Sequence, residues 1–498
     1  MTPLPGTLAP APTLQRLGPT TLGQQLAERV ADRIQRGTLA PGARLPSVRE
    51  GARLHGVSPS TVVAAYDQLQ AQGLVEARRQ RGFFVREPLA TQRGAATAAR
   101  PVAPLAPPLD ATALIRGMFQ QGSAPGGPGM GTLPEAWLDQ ALLDRALRRT
   151  LSRPTAQQGD GLRYGNPAGD ESLRQAMARR LGGELGIPAL AGQIVTTLGA
   201  THALDVVART LLQPGDAVLV DEPGWAVEFA RLTHMGMRLL PVPRGVDGPD
   251  LGVMAQLLAE HRPRLYVTVS VLHNPTGQTL SLTAAHQILK LAEAHDLTIV
   301  EDDTYAWLAA PHAPRLAALD GLQRTVYVTG FSKILAPNWR VGCVVAAPAL
   351  AERLIDTKLL STLTTPALLE RAVAWCLDQG LLRRHAERVV QRLDAARHRV
   401  VQLAQDAGCR FATPPQGLFG WVDTGVDTER LAHRLAADGW LVAPGRLFLA
   451  APRTSTLMRV NFASAQEGRF WQAFVSARQA LGGRPAGSGG APETSGNA

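Results

Sequence analysis

Over the first ninety or so residues the apolar positions recur first at helical spacing and then in short β-prone runs. Leu22, Leu26, Val30 and Ile34 recur every four positions behind Thr21, a good helix cap, and predict an amphipathic helix ending near Gly37. A turn at Pro41-Gly42 follows, then a short helix over roughly 47–54, a turn at His55-Gly56, and a second helix that opens at Ser58 and closes before Gly73. Val62, Tyr66 and Leu69 form the inward stripe of that helix, leaving Ser58, Ser60 and Thr61 on the opposite face near its N-terminus. Two β-prone stretches, 74–77 and 83–85, bracket Arg78-Arg79-Gln80-Arg81-Gly82 and predict a hairpin with a basic tip.

From Leu133 onward the pattern is different: short β-branched runs alternate with helical stretches. Strands are expected over 194–197, 217–220, 265–269, 297–300, 325–328 and 341–345, with helices such as 203–212 and 282–295 between them. That alternation predicts an α/β domain with a mostly parallel sheet covered on both faces, whose binding crevice lies beyond the carboxyl ends of the strands. Between the two patterns, 88–131 shifts to Ala, Pro, Gly and Gln and reads as a linker, part of which is free to pack on the large domain. Residues 1–20 read as a flexible arm and 482–498 as a disordered tail, so the expected domains are 21–87 and 132–481.

Length and charge sharpen this picture. At 498 residues two or three domains are expected. The net charge of +10 favours a polyanionic partner, and residues 22–86 hold ten arginines against five acids, half of the excess. Helix, short helix, turn, helix and basic hairpin together describe a winged helix-turn-helix, whose second helix enters the DNA major groove while the wing follows the backbone. Cys343, Cys376 and Cys409 lie far apart without CxxC spacing, which argues for a reducing compartment and no zinc site. No apolar run approaches a membrane span, and the N-terminus lacks a basic segment followed by an apolar one; a soluble cytoplasmic protein is expected.

The candidate chemistry centres on TGFSKILAPNWRVG, Thr329 to Gly342. Only three lysines occur, Lys290, Lys333 and Lys358, in a chain whose positive charge is otherwise arginine, so Lys333 is expected to do something arginine cannot. A partly unprotonated amine condenses with an aldehyde, and Arg340 nearby suits an anionic group of the same molecule. The other expected strands end in comparable residues. Gly199-Ala200-Thr201 opens a helix whose free N–H groups suit phosphate; Trp225 follows the second strand, Asn274 the third, Asp302 and Tyr305 the fourth, and Ser332-Lys333 the fifth. Singly, each has a structural explanation as a cap, a turn or a half-buried aromatic. Together they supply amine, carboxylate, phenol, amide, aromatic plate and phosphate donors, the inventory for pyridoxal 5'-phosphate.

Two resemblances extend these readings. Leu45-Pro46-Ser47-x-Arg49, then Gly56-Val57-Ser58-x-x-Thr61-Val62-x-x-Ala65-Tyr66-x-x-Leu69 and Gly73-Leu74, resembles the GntR family of bacterial transcription regulators. The resemblance implies a double-stranded DNA partner contacted by Ser47, Arg49, Ser58, Ser60 and Thr61, with Arg44 on phosphate and Arg79, Arg81 and Gly82 in the wing. Pro59, where relatives often carry arginine, and the single wing glycine depart from the pattern. The stretch from Leu133 to Leu481 resembles fold-type I aminotransferases, which implies a small C-terminal α/β subdomain beside the large one. It also implies that Lys333 forms the Schiff base, Asp302 pairs with the pyridine nitrogen, Asn274 and Tyr305 bind the phenolic oxygen, and Trp225 stacks on the ring. By the same resemblance Gly199, Ala200, Thr201, Ser332 and Arg340 surround the phosphate, Arg459 binds a substrate carboxylate, and Tyr164 reaches across a homodimer interface. Gly330, where the family often has Ser or Thr, removes one phosphate donor unless Thr329 replaces it.

A GntR-like head joined to such a body looks like the MocR-type regulators, in which the body senses pyridoxal phosphate or its adduct with a small amino compound. A working aminotransferase with an appended helical domain is the rival expectation. A pyridoxal phosphate reservoir is the third.

Overall fold

The computed structural model describes residues 21–35, 38–78, 81–86, 111–119, 127–152 and 163–483. The arm expected over 1–20, Arg79 of the wing, and the expected tail beyond Gly483 lie outside them. The chain divides into two compact units, one through Pro104 and one from Leu105.

The first unit contains α1 (Leu22–Gln35), α2 (Val48–His55), α3 (Pro59–Ala71), β1 (Val75–Arg78) and β2 (Gly82–Val85). Ser47 starts α2 through a reciprocal cap: its hydroxyl accepts from Glu50 N, and the Glu50 carboxylate accepts from Ser47 N at 2.9 Å. Gly56 stops it in the left-handed region at φ 63°. Ser58 caps α3 one way only, its hydroxyl accepting from Thr61 N at 3.2 Å, with Pro59 in the first turn, where its missing N–H costs nothing. Leu26, Ala27, Val62, Ala65, Tyr66 and Leu69 make the core between α1 and α3, and the Tyr66 hydroxyl donates to Pro46 O at 2.9 Å. The hairpin pairs antiparallel, Val75 opposite Val85 and Arg78 opposite Gly82.

The second unit is built on a seven-stranded sheet of β3 (Ile194–Thr197), β4 (Ala217–Glu222), β5 (Arg238–Pro243), β6 (Leu265–Thr268), β7 (Thr298–Asp302), β8 (Thr325–Gly330) and β9 (Gly342–Val345), in the order β3-β9-β8-β7-β6-β4-β5. All pairings are parallel except those of β9, which runs antiparallel to both neighbours. Period-two alternation feeds two cores: Val218 and Val220 pack on one face, Ala217 and Leu219 on the other. β5 is absent from the sequence expectation because Pro241 and Pro243 break its pattern; it is an edge strand, where proline is tolerated. β7 runs two residues further than expected, so Asp302 ends a strand where a loop position was expected. A smaller antiparallel sheet follows, formed by β10 (Arg410–Phe411), β11 (Phe419–Asp423), β12 (Ala443–Pro444) and β13 (Leu457–Asn461).

Part of the stretch expected to be linker is built into this unit. Ala111–Phe119 is a helix whose Leu114 is buried with Trp421 and Phe448. Residues 127–131 lie against the small sheet: Gly129 N donates to Leu441 O and Asn461 N to Pro128 O, both at 2.9 Å. A Cβ on Gly127 would stand 2.5 Å from Leu441 O, and one on Gly129 2.6 Å from Val442 C, so glycine here permits close approach of two backbones.

Among the described residues no helix is long and apolar enough to cross a membrane, and no group of three or more His, Cys, Asp or Glu side chains is placed to hold a metal.

Candidate functional site

The parallel sheet gathers the strand-end residues at one edge, because β3, β4, β6, β7 and β8 all point the same way. Lys333 lies just past β8, half-buried, and its Nζ donates to Gly131 O at 2.8 Å. Burial lowers its pKa to about 8, with Arg459 and Arg340 adding to the effect against Asp302. Asp302 is buried at the end of β7 and accepts from Thr304 N at 3.0 Å and from the Thr304 hydroxyl; burial raises its carboxyl to about 7. Tyr305, three residues on, is buried edge-on against Phe419 with ring centroids 5.4 Å apart, and burial raises its phenol above the ordinary value. Arg459 comes from β13 of the small sheet. Its Nη1 donates to Asn274 Oδ1 at 3.0 Å and its Nη2 to Gly129 O at 2.7 Å, while Nε has no partner. Phe419 and Phe448 flank the guanidinium at 4.4 and 5.2 Å, and burial lowers its pKa to about 10, leaving it charged at neutral pH.

A second cluster forms a cup beside the lysine. Arg340 sits in the left-handed region at φ 50°, a strained conformation for a side-chain-bearing residue, and this turns its guanidinium back toward β3. It donates to Ser332 Oγ at 3.1 Å and to Leu198 O at 2.9 Å. Gly199 (φ 80°) faces it so closely that a Cβ would meet Arg340 Nη2 at 2.5 Å. Ala200 and Thr201 form the first turn of the helix Ala200–Leu211, and Thr201 is exposed. The Thr329 hydroxyl donates to Asp303 O at 3.0 Å, so it is committed away from the cup and does not replace the donor absent at Gly330.

Other expected residues lie on different elements; Trp225 packs against the same core as Ala200. Trp225 is half-buried at the cap of the helix Ala226–His234 after β4. Tyr164 is 82% exposed, outside the buried Lys333–Asn274–Arg459 group. Lys358 is fully buried and donates to Pro167 O at 2.8 Å, with burial lowering its pKa to about 8, so the scarcity of lysine marked two special sites rather than one. The sequence reading missed the carbonyls of Gly129 and Gly131 and the side chain of Asn461. The signal available was that this stretch is glycine-rich: the missing Cβ atoms of Gly127 and Gly129 admit a neighbouring backbone, while the carbonyls themselves carry no residue-type mark.

On the first unit, Arg44, Ser47, Arg49, Ser58, Ser60 and Arg81 are exposed. Ser58 Oγ lies 2.8 Å from both Ser60 Oγ and Thr61 Oγ1, which gathers three hydroxyls at the N-terminus of α3. Gly82 opens β2 at φ 97°, and a Cβ there would lie 3.6 Å from Arg44 Nε, which places Arg44 beside the wing.

The class is then that of a winged-helix unit carried on an aminotransferase-type α/β body. Residues 129–470 match the family model for aminotransferase class I and II, and residues 22–85 that for bacterial regulatory proteins of the gntR family. The chain is 32% identical over 465 residues to the HTH-type transcriptional regulator TauR of Rhodobacter capsulatus, covering 88% of this chain and 91% of TauR. It is 29% identical over 403 residues to the probable rhizopine catabolism regulatory protein MocR of Rhizobium meliloti, covering 78% of each. Among solved structures it is similar to the α-aminoadipate aminotransferase LysN of Thermus thermophilus, crystallised with N-(5'-phosphopyridoxyl)-L-leucine, with a TM-score of 0.67, 26% identity and coverage of 74% of this chain and 95% of LysN. The chain belongs to the aminotransferase class I and II family, within the HTH-type transcriptional regulators that carry a GntR-type head.

Proposed function

We propose that this regulator binds pyridoxal phosphate in its body and changes its hold on operator DNA when an amino compound bearing a carboxylate occupies the site. The observation that carries the reading is the joining, in one chain, of an exposed helix-turn-helix face to a group in which Lys333 and Arg459 donate to neighbouring carbonyls of 127–132 and Arg459 also to Asn274. The residues fit the cofactor: the missing Cβ of Gly199 lets the Arg340 guanidinium pack against the turn that opens the adjoining helix, whose start has no side-chain cap and leaves first-turn N–H groups for an anion. When bound, pyridoxal phosphate supplies an aldehyde and an electron-withdrawing ring.

Gly199, Ala200, Thr201, Ser332 and Arg340 hold the phosphate. Asp302 takes the ring nitrogen, Asn274 and Tyr305 the phenolic oxygen, and Trp225 the ring face. Lys333 presents its amine to the aldehyde, and Arg459, with one edge nitrogen unpartnered, receives a carboxylate. The exposed Tyr164 serves the site of a second copy in a homodimer. On the first unit, the N-terminus of α3 reads base edges with Ser58, Ser60 and Thr61, and Arg49 extends that reading from α2. Arg44, Arg79 and Arg81 hold phosphates on either side of Gly82, and Ser47 fixes the start of α2. The site of action is the cytoplasm, where an operator is found.

The test is selection of bound duplexes from a random pool by the full chain, followed by titration of the selected site with and without pyridoxal phosphate and candidate amines. A recovered site whose affinity depends on cofactor and amine supports the reading; recovery of random sequence opposes it. The convergence of Lys333, Asp302 and Arg459 favours retained transamination as a second reading, tested by steady-state turnover with a panel of amino donors.

A further inference from the structure

Six consecutive carbonyls, from residue 127 to 132, each accept a hydrogen bond from the body. Gly127 O takes Ser464 Oγ at 3.1 Å, Pro128 O takes Asn461 N at 2.9 Å, and Gly129 O takes Arg459 Nη2 at 2.7 Å. Met130 O and Thr132 O share Asn461 Nδ2 at 2.9 and 2.8 Å, and Gly131 O takes Lys333 Nζ at 2.8 Å. Two of these donors, Arg459 and Lys333, are therefore the groups that a carboxylate and an aldehyde would claim.

The competition at Arg459 is fixed by geometry. Asn274 holds Nη1, the strap holds Nη2, and Nε is buried without a partner. A two-pronged carboxylate that leaves Asn274 in place approaches the Nε and Nη2 edge, where one of its oxygens competes with the carbonyl of Gly129 for Nη2. The guanidinium has little freedom to turn aside, since Phe419 and Phe448 flank it and Arg459 is 3% exposed. The freed carbonyl is left unpaired unless the strap moves. Upstream, the same segment leads to the helix Ala111–Phe119, whose Leu114 packs in one cluster with Phe448, a ring that also flanks Arg459.

We propose that residues 127–132 are a displaceable strap: a carboxylate at Arg459 takes the place of the Gly129 carbonyl and thereby alters the anchoring of the chain segment that leads to the DNA-binding unit. This rests on the reading of Arg459 as a carboxylate site. The strap is the differential contact that a ligand-driven change requires, since the ligand binds the displaced arrangement more tightly than the anchored one.

The experiment uses the full-length, cofactor-loaded protein with propionate as the carboxylate probe and propionamide as its uncharged control. Amide hydrogen exchange is read at Gly129 and Met130, whose N–H groups donate to Leu441 O and Gly127 O, while saturation-transfer NMR follows propionate binding. Propionate is expected to speed exchange at these amides roughly tenfold, propionamide to leave it unchanged, and Arg459→Ala to exchange fast under all conditions. Binding of propionate that depends on Arg459, without a change in exchange, overturns the strap and leaves the carboxylate site standing. Absence of Arg459-dependent binding overturns the carboxylate site and the strap together. Asn461→Ala, which removes side-chain donors to two strap carbonyls without touching Lys333 or Arg459, is expected to exchange fast without propionate and to shift operator affinity in the direction and by the factor that propionate does in the wild type. Fast exchange with wild-type operator affinity overturns the link to DNA. Should Asn461→Ala fail to fold, Ser464→Ala, which frees Gly127 O from a side-chain donor, is read by the same two measurements.

Discussion

Lys333 shows what one residue's surroundings decide. Burial holds its amine near a pKa of about 8, so the neutral, nucleophilic fraction grows as pH rises through that value. The rate of covalent cofactor loading should therefore climb between about pH 7 and 9 and then level off, as followed by the absorbance band of the bound cofactor. A rate that keeps climbing toward pH 10.5 would mean an unperturbed lysine. Lys333→Ala should lose the band. Asp302 is raised to about 7 by burial, so below that pH its carboxyl is neutral and offers the ring nitrogen no charge. Equilibrium cofactor affinity should weaken as pH falls through about 7, and Asp302→Asn should flatten that dependence; an unchanged profile in the variant would remove Asp302 from the role. Lys333 and Asp302 stand out in the sequence because lysine is scarce and because an amine and a carboxylate follow successive expected strands. Their shifted pKa values were not legible there, because both depend on burial that only the assembled sheets create, and that of Lys333 on Arg459 as well.

At the scale of elements, cap chemistry made the DNA-binding unit readable, since Ser47, Gly56 and Ser58 act on N–H and carbonyl groups only a few residues away. Ser47→Ala breaks the reciprocal cap with Glu50 and should cost about 1 kcal/mol in denaturant unfolding of that unit. Arg81→Ala in the wing should weaken binding across all duplex sequences and make the slope of log affinity against log salt shallower by about one. Arg49→Ala should cost roughly 1–3 kcal/mol and relax preference at one base position, which a selection from random duplexes would show. Elements whose signal is not local were harder to read. β5 hides behind two prolines, and the stretch over 127–131 has the composition of a linker although Gly127 and Gly129 are pressed against Leu441 and Val442.

For the whole molecule, the proposed sensing requires that occupancy of the body and DNA affinity be linked. A coupling of about 1–3 kcal/mol would change operator affinity roughly 5- to 150-fold, and DNA must then change amine affinity by the same factor. Titrating operator with and without a candidate amine, and the amine with and without operator, should return equal factors, with the effect lost in Arg459→Ala. Operator affinity indifferent to every amine, together with measurable turnover, would establish the aminotransferase reading instead. The sequence by itself determined the two-part plan, the helices and wing of the first unit, and the inventory of groups at the strand ends, because periodicity, caps and residue types are written in short stretches. Only the tertiary structure decided that β9 inserts antiparallel between β3 and β8, that Arg459 of the second sheet meets Asn274 in the turn after β6 of the first, and that the carbonyls of a glycine-rich stretch accept from both Lys333 and Arg459. Those contacts join positions far apart in the chain, and backbone carbonyls leave no residue-type signature from which to foresee them.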